Sequence, residues 1–221
     1  MLFNSLVFAV FLPLVFAAYW SLNRNLRAQN LLLITAGFVF YGWWDWRFLL
    51  LLLATSLTDY FVALAMGRSA SPPRRKLLLC ISLIGNLGTL GIFKYYDFFA
   101  RSLAAGLAEL GITHDPFLLK VILPVGISFY TFQALSYTID VYRGRIAAVR
   151  QADTFLAFVS FFPQLCAGPI ERASHMLPQF QRARTFEPAQ AVDGLRQMLW
   201  GFFKKIVIAD NCSRLVDGIF H

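Results

Sequence analysis

Long apolar stretches alternate with short polar gaps along this chain. The first covers residues 2–22, and the others lie at about 28–44, 48–66, 77–95 and 119–139. A helix that crosses a bilayer needs roughly 20 apolar residues, and in hydrocarbon only a helix satisfies its own backbone groups. The pattern predicts five membrane-spanning helices. The first stretch lacks the basic start of a signal peptide, so cleavage near residue 18 is the less favoured alternative.

The apolar pattern changes after Asp153. Residues 155–170 are uncharged but contain Pro163 and the pair Gly168-Pro169. Proline interrupts a helix, and irregular backbone is tolerated at membrane depth only inside protein or beside a cavity. We therefore predict a re-entrant segment here, followed by a polar stretch and a membrane-associated helix at about 194–209. The predicted fold is a single all-α, polytopic transmembrane domain.

The amino-acid composition agrees with a membrane protein. Hydrophobic residues make up 58% of the chain and charged residues 14%, whereas soluble domains carry about 25% charged residues. The formal net charge of +8 would suggest a nucleic-acid partner in a soluble protein. Here the basic residues lie in short gaps, so we expect no nucleic acid. Cys80, Cys166 and Cys212 follow no metal-binding spacing, so no metal site is predicted.

The basic residues also predict an orientation in the membrane. They concentrate in the gaps that follow the first, third and fifth apolar stretches. These residues are Arg24, Arg27, Arg68, Arg74, Arg75, Lys76, Arg143, Arg145 and Arg150. Because positively charged gaps face the cytoplasm, the N-terminus should lie outside. Segment 94–115 should then be an external connector, with an interfacial helix over 98–110.

The fifth apolar stretch carries a polar face. Tyr130, Gln133, Tyr137 and Asp140 follow helical spacing and share one side of the helix. Polar side chains within a span face protein or a cavity, because lipid offers them no partner. Two interpretations remain open, namely hydrogen bonds between helices and the lining of a cavity. Pro124 and Gly126, which lie in the outer part of this stretch, favour a kink.

Two other features of the apolar stretches call for interpretation. Asp59 is the single charge within the third stretch, and we expect an ion pair with a neighbouring helix or a position near the cytoplasmic end. Gly85, Gly88 and Gly91 recur at every third position of the fourth stretch. No strand precedes them, so a dinucleotide-binding loop is excluded and close helix packing is predicted.

The three histidines do not identify a catalyst. His114 lies in the connector, His175 in the polar stretch and His221 at the last position, so none lies within an apolar stretch. No serine–histidine–aspartate order or pair of metal-binding histidines is recognisable either. The residues alone therefore predict a polytopic protein with a polar helix face and no identifiable catalytic residue.

Several longer motifs resemble those of a known family. Three main motifs lie in the second half of the chain, and two shorter ones lie near its start. The motifs cover Leu123–Gln133 with Tyr137 and Ile139–Gly144, Phe161–Leu165 with Ala167–Ile170 and Arg172, Gly201–Lys205 with Ile208–Asn211, Phe3–Ser5, and Phe40–Trp44. Together they resemble the membrane-bound O-acyltransferase (MBOAT) family, and within it most closely the membrane subunit of bacterial alginate O-acetyltransferase.

This resemblance implies an activity and its participants. Such proteins pass an acyl group from a cytoplasmic donor, such as acetyl-CoA, through the membrane. The acceptor would be an extracytoplasmic polysaccharide such as alginate, reached with the help of an extracytoplasmic partner protein. The expected location is the bacterial inner membrane, where the lipid bilayer would surround the membrane-spanning helices. The family's catalytic histidine lies in an apolar stretch that this chain does not match, so the chain resembles an N-terminal portion with that histidine beyond residue 221.

The resemblance also assigns roles to individual residues. Six residues are expected to line an acyl path through the protein: Tyr130, Gln133, Tyr137, Asp140, Pro163 and Gln164. Four basic residues are candidates for binding the anionic donor: Arg143, Arg172, Lys204 and Lys205. The alternative for these four is anchoring at anionic lipid headgroups. At the level of the whole chain, the alternatives are a transporter or scaffold without catalytic activity and an inactive truncated fragment.

Overall fold

All regular structure in the described residues is helical in the computed structural model of the chain. The described residues are 1, 3–111, 117–119, 123–165, 168 and 171–220. They divide into two compact units. The first unit contains residues 24–183 together with Met1, and the second contains residues 2–23 and 184–221.

The first three helices follow the predicted apolar stretches closely. They are α1 (Leu6–Ser21), α2 (Leu26–Gly42) and α3 (Arg47–Arg68). Side-chain oxygens cap two of them, because the first backbone N–H groups of a helix have no partner within it. Ser5 accepts from the Phe8 N–H and Asn25 accepts from the Ala28 N–H. These polar residues explain why the helices begin where they do.

The fourth apolar stretch continues into a longer helix than the sequence predicts. Helix α4 (Pro72–Leu90) passes through a π-helical turn (Gly91–Tyr95) into α5 (Tyr96–Glu109) without a break. Pro72 is favourable at the first position, where a backbone N–H would have no helical partner. The helix expected over 98–110 is thus present as α5, although it continues directly from α4. The position of this segment outside the membrane stays a prediction. His114 and the end of the connector lie outside the described residues.

Helix α6 (Ile127–Tyr142) is shorter than the stretch predicted at 119–139. Gly126, just before the helix, has a φ of 77° in the left-handed region, which glycine adopts without the steric cost of a Cβ atom. Pro124 and Gly126 thus precede the helix, and the predicted kink within it is wrong. Lys120, Val121 and Ile122 lie outside the described residues.

The segment predicted to be broken forms two short helices. Helices α7 (Ala152–Val159) and α8 (Phe162–Leu165) are separated at Ser160 and Phe161. Gly168 then approaches the backbone so closely that an added Cβ would lie 2.5 Å from the Gln164 Cα. Cys166, Ala167, Pro169 and Ile170 lie outside the described residues. The interruption of the helix is confirmed, whereas re-entry into the membrane stays a prediction.

The first unit is held together by α3, α4 and α6, which pack against one another, and by α2, which packs against α7. Helix α9 (Ala173–Gln181) follows in the stretch expected only to be polar, and Asn30 of α2 donates to its Phe180 carbonyl at 2.9 Å. Gly37 lies where α2 closely approaches the end of α7. An added Cβ there would lie 1.9 Å from the Ser160 carbonyl oxygen, so α2 and the end of α7 require a glycine at this position.

The second unit contains α1 and one long helical stretch. Helix α10 (Pro188–Phe203) continues through a π-helical turn (Lys204–Ala209) into α11 (Asp210–Phe220). The helix predicted at 194–209 therefore begins earlier and ends later than expected. Trp20 packs edge to face on Phe186, with 5.0 Å between ring centroids, and the Arg184 guanidinium lies 5.5 Å from the Tyr19 ring centroid.

Two described helical stretches are long and apolar enough to cross a membrane. They are Arg47–Arg68 and the continuous stretch Pro72–Glu109, and the shorter Leu6–Ser21 is also apolar. A buried core helix of a soluble protein can meet the same criteria of length and composition. The five spans proposed from the sequence thus stay a prediction, in which α1, α2 and α6 would be the shorter members.

Candidate functional site

The polar face of α6 is fully enclosed by protein. Tyr130, Gln133, Tyr137 and Asp140 are all buried. Gln133 donates to the Phe158 carbonyl at 2.8 Å and lies 3.5 Å from the Gln164 side-chain oxygen. A buried amide needs such partners, because burial without a hydrogen bond is costly. Gln133 thereby ties α6 to the end of α7.

The two tyrosines of this face make different contacts. The Tyr137 hydroxyl accepts a hydrogen bond from the Val149 N–H at 3.0 Å, and its ring packs on Phe155 with 4.7 Å between centroids. Tyr130 packs edge to face on Tyr41, with 6.1 Å between centroids. Tyr137 therefore fixes the segment that follows α6, whereas Tyr130 contributes mainly aromatic packing.

Asp140 ends the polar face within the last turn of α6. Its carboxylate lies 3.5 Å from the Arg145 guanidinium, and its carbonyl accepts from the Arg145 N–H at 2.9 Å. The contacts of Gln133, Tyr137 and Asp140 all join α6 to neighbouring segments, which favours the interpretation as helix-packing residues. Of the other two expected path residues, Pro163 is exposed and Gln164 is partly buried. The role of all six in an acyl path stays a prediction.

A basic pocket lies where α3 ends, α4 begins and α6 ends. Its volume is about 840 Å³, within the range of small-molecule sites. Twelve residues line it, among them four arginines and no acid. The arginines are Arg68, Arg75, Arg145 and Arg150. We refer to this cavity as the arginine pocket.

Two tyrosines hold the segment that forms one wall of the arginine pocket. The Tyr60 hydroxyl of α3 donates to the Arg150 carbonyl at 2.6 Å, next to the Tyr137 contact with Val149.

Arg75 of α4 contacts the end of α6. Its guanidinium donates to the carbonyls of Val141 and Tyr142 at 3.1 and 2.8 Å. These carbonyls end α6, where helical carbonyls lack partners and a cation is favourable.

The four donor-binding candidates lie elsewhere. Arg143 and Arg172 are exposed in the first unit, and neither lines the arginine pocket. Lys204 and Lys205 are exposed in the second unit. There the Lys204 ammonium lies 5.3 Å from the Trp200 ring centroid, and Lys205 pairs with Asp210. Binding of a donor by these residues stays a prediction.

Asp59 lies in a buried polar cluster on the opposite side of α3 from exposed neighbours such as Phe61. Ser82 of α4 donates to its carboxylate at 2.5 Å, and Asn86 donates to both carboxylate oxygens at 2.9 and 2.8 Å. No cation pairs with Asp59 among the described residues, and it lies near the middle of its helix. Both expectations for Asp59 are therefore wrong, because neutral donors from α4 satisfy the carboxylate.

The glycine stripe of the fourth stretch packs against no other helix among the described residues. A Cβ added at Gly85, Gly88 or Gly91 would meet nothing within 4 Å. Helix α4 instead uses another face, on which Ser82 and Asn86 are buried. The predicted close packing at the glycines is wrong, because the hydrogen bonds to Asp59 determine which face of α4 points inward.

No residue with the properties of a catalyst emerges in the described part of the chain. His175 is exposed and lies 3.3 Å from Glu171, while His114 and His221 lie outside the described residues. Within the described ranges, no three histidine, cysteine, aspartate or glutamate side chains are grouped as metal ligands. Cys80 is partly buried and Cys212 exposed, both as free thiols.

From the sequence, the four arginines of the pocket indicated only the orientation of the chain in the membrane. Arg68 and Arg75 belong to one gap, and Arg145 and Arg150 belong to another that follows about 70 residues later. Their meeting depends on the packing of α3 and α4 against α6, which spacing along the chain does not reveal. The one sequence feature that could have suggested their proximity is that both gaps are predicted to lie on the cytoplasmic side.

Curated proteins similar to this chain are acetyltransferases by name. Two named probable alginate O-acetylase AlgI, from Pseudomonas putida and Pseudomonas aeruginosa, are 40% and 39% identical over 100% of this chain. A peptidoglycan O-acetyltransferase from Helicobacter pylori is 34% identical over 98% of it. No family model matches the chain, and no solved structure is significantly similar to it.

The chain spans less than half the length of these relatives. It covers 45% and 42% of the two Pseudomonas proteins and 46% of the Helicobacter protein. This coverage fits the expectation that the chain corresponds to a portion of such a protein. Together with the two long apolar helices, the relatives point to a membrane protein. The resemblance expected from the sequence motifs is confirmed, and the chain is a relative, along its whole length, of the bacterial alginate O-acetylases AlgI.

Proposed function

We propose that this chain is part of an integral-membrane O-acyltransferase. It would pass acetyl groups from a cytoplasmic donor, such as acetyl-CoA, across the inner membrane to an extracytoplasmic polysaccharide such as alginate. The observation that carries the proposal is the similarity to AlgI proteins at 39–40% identity over the entire chain. Fold alone would not support a substrate, but several relatives with acetyltransferase names do support the reaction class.

The contacts between the polar gaps support the proposed orientation. Arg27 lies 3.6 Å from Asp153, and Arg75 bonds to the end of α6, so three gaps expected in the cytoplasm meet at one end of the first unit. At the other end Lys94 lies 3.4 Å from Ser128. Positively charged segments that meet at one end fit a multi-pass protein with its N-terminus outside.

The α6 face has a supporting role in this proposal. Gln133 and Tyr137 hold α7 and the segment around Val149 in place, and a wall of the acyl path would need such fixed elements. An extracytoplasmic partner protein would complete delivery to the polymer.

The proposal is tested by the acetyl content of the exported polysaccharide. The gene containing this sequence is deleted from its host and then restored as the complete reading frame, and ester-linked acetate is released by mild alkali and quantified. We expect acetate to fall on deletion and to return on complementation. Unchanged acetylation of both polysaccharide and peptidoglycan, with altered solute uptake, would instead favour the transporter hypothesis.

A further inference from the structure

The positive charge of the arginine pocket is only partly balanced by acidic side chains of the protein. Four arginines line it, and none of the other lining residues is charged. Two nearby acids are already engaged, since Asp140 lies 3.5 Å from Arg145 and Asp153 lies 3.6 Å from Arg27. Among the described residues, the guanidinium groups of Arg68 and Arg150 have neither an ion pair nor a hydrogen bond. The pocket therefore attracts anions.

The arginines of the pocket are not equivalent. Arg75 is committed to the Val141 and Tyr142 carbonyls at the end of α6, so it contributes positive charge but has fewer free donors. Arg145 is shared with Asp140. The guanidinium groups of Arg68 and Arg150 retain their N–H donors. Arg68 ends α3 and Arg150 lies in the irregular segment between α6 and α7, and both line the pocket. A planar guanidinium binds phosphate oxygens through two parallel N–H groups.

The backbone around Arg150 is fixed before any ligand arrives. The Arg150 carbonyl accepts from Tyr60, and the adjacent Val149 N–H donates to Tyr137. The side of the pocket formed by Gly144 has room, since an added Cβ there would meet nothing within 4 Å. A pre-organised backbone with open space lowers the cost of ordering a ligand.

We propose that the arginine pocket binds a phosphate group, with Arg68 and Arg150 as its main ligands. The inference rests on the pocket alone and does not depend on the acetyltransferase function. The phosphate has two possible sources, which share this chemistry. One is the headgroup of an anionic phospholipid, since the pocket lies at the helix ends expected at the cytoplasmic surface. The other is a soluble phosphate compound.

Two binding experiments on the full protein separate these sources. In neutral detergent, inorganic phosphate is titrated and the thermal unfolding midpoint is followed, with sodium chloride at matched ionic strength as the reference. In lipid nanodiscs, the midpoint in phosphatidylglycerol is compared with that in phosphatidylcholine. Stabilisation by phosphate in detergent identifies a soluble ligand, and stabilisation only by phosphatidylglycerol identifies a headgroup. Either result supports the proposal.

Variants link the effect to the pocket. We expect R68Q/R150Q to bind the effective probe about tenfold more weakly or worse, because two charge-assisted contacts are lost. The matched control is R74Q, since Arg74 is exposed in the same cluster of basic residues but does not line the pocket. R68K, which keeps the charge, should retain part of the binding.

Two results would overturn the proposal. One is the absence of stabilisation by either probe in the unmodified protein. The other is an equal loss of binding in R74Q and R68Q/R150Q, which would indicate general attraction to a basic surface. The unfolding midpoints without probe show whether each variant is folded, so a destabilised variant is not mistaken for one that has lost its ligand site.

Discussion

The Asn86 side-chain amide donates to both carboxylate oxygens of Asp59, at 2.9 and 2.8 Å. The two residues join α4 to α3, and both are buried. Removing the donor leaves a buried carboxylate with fewer partners, which costs about 1–3 kcal/mol. We therefore expect N86A to lower the free energy of unfolding by about this amount, measured by denaturation in detergent.

The control for this pair is T89A on the same helix. Thr89 is half-buried, and among the described residues its hydroxyl bonds only to the Gly85 carbonyl of its own helix, so its loss should change stability little. The variant D59N, which removes the charge, should reduce the cost of N86A. Equal effects of N86A and T89A would contradict the assignment of Asn86 as the partner of Asp59.

The contact between Gly37 and Ser160 predicts a strong effect of one methyl group. In G37A the new Cβ would lie 1.9 Å from the Ser160 carbonyl oxygen, so α2 must move away from the end of α7. Overpacking of this kind costs about 1–3 kcal/mol. We expect G37A to lower the thermal unfolding midpoint and the yield of folded protein.

G85A is the matched comparison for G37A. It makes the same chemical change within a helix, but an added Cβ there meets nothing within 4 Å. Alanine is favoured over glycine in a helix by up to about 1 kcal/mol, so G85A should leave stability unchanged or slightly higher. A G85A protein as unstable as G37A would show that the glycine stripe is packed after all.

The hydrogen bond between Tyr137 and Val149 predicts the effect of removing one oxygen. In Y137F the buried Val149 N–H loses its acceptor, at a cost of about 1–3 kcal/mol. Exchange of that amide hydrogen should also accelerate. Y142F provides the control, because the Tyr142 hydroxyl makes no hydrogen bond within the described part of the chain. The same exchange rate in Y137F and the unmodified protein would exclude this role of Tyr137.

The proposed orientation predicts the location of fused reporters. A reporter fused after Arg75 or after Gly144 should be active in the cytoplasm, because both positions lie in positively charged gaps. A fusion after Asn23, between the first two apolar stretches, should also be cytoplasmic, whereas one after Trp44 should be exported. The reverse pattern would mean that the N-terminus faces the cytoplasm.

The apolar pattern predicted the helical class well, and it located α1, α2 and α3 within a few residues. Helix ends were harder where local sequence carried conflicting signals. The mixed polar segment 94–115 suggested an end to the fourth stretch, but the helix continues to Glu109. Conversely, α6 begins only after Gly126, whose positive φ is not helical, and apolarity does not reveal this start.

The partners of buried polar residues depended on tertiary packing and could not be predicted. Spacing placed Gln133 and Tyr137 on one face, yet their partners, Phe158 and Val149, are determined by how α7 and its preceding segment fold back. In the same way, the glycine repeat of α4 suggested a contact face, but the hydrogen bonds between Asn86 and Asp59 select another. The family motifs predicted the relationship with AlgI proteins because they extend along the whole chain.

Transfer of labelled acetyl groups across sealed membrane vesicles tests the proposed function most directly. Inside-out vesicles carrying the complete reading frame, together with its extracytoplasmic partner and acceptor polysaccharide in the lumen, receive isotope-labelled acetyl-CoA on the outer, originally cytoplasmic, side. We predict alkali-labile label on the enclosed polysaccharide, and none in vesicles from the deletion strain. Equal labelling with and without the gene would contradict the proposal that this protein carries acetyl groups across the membrane.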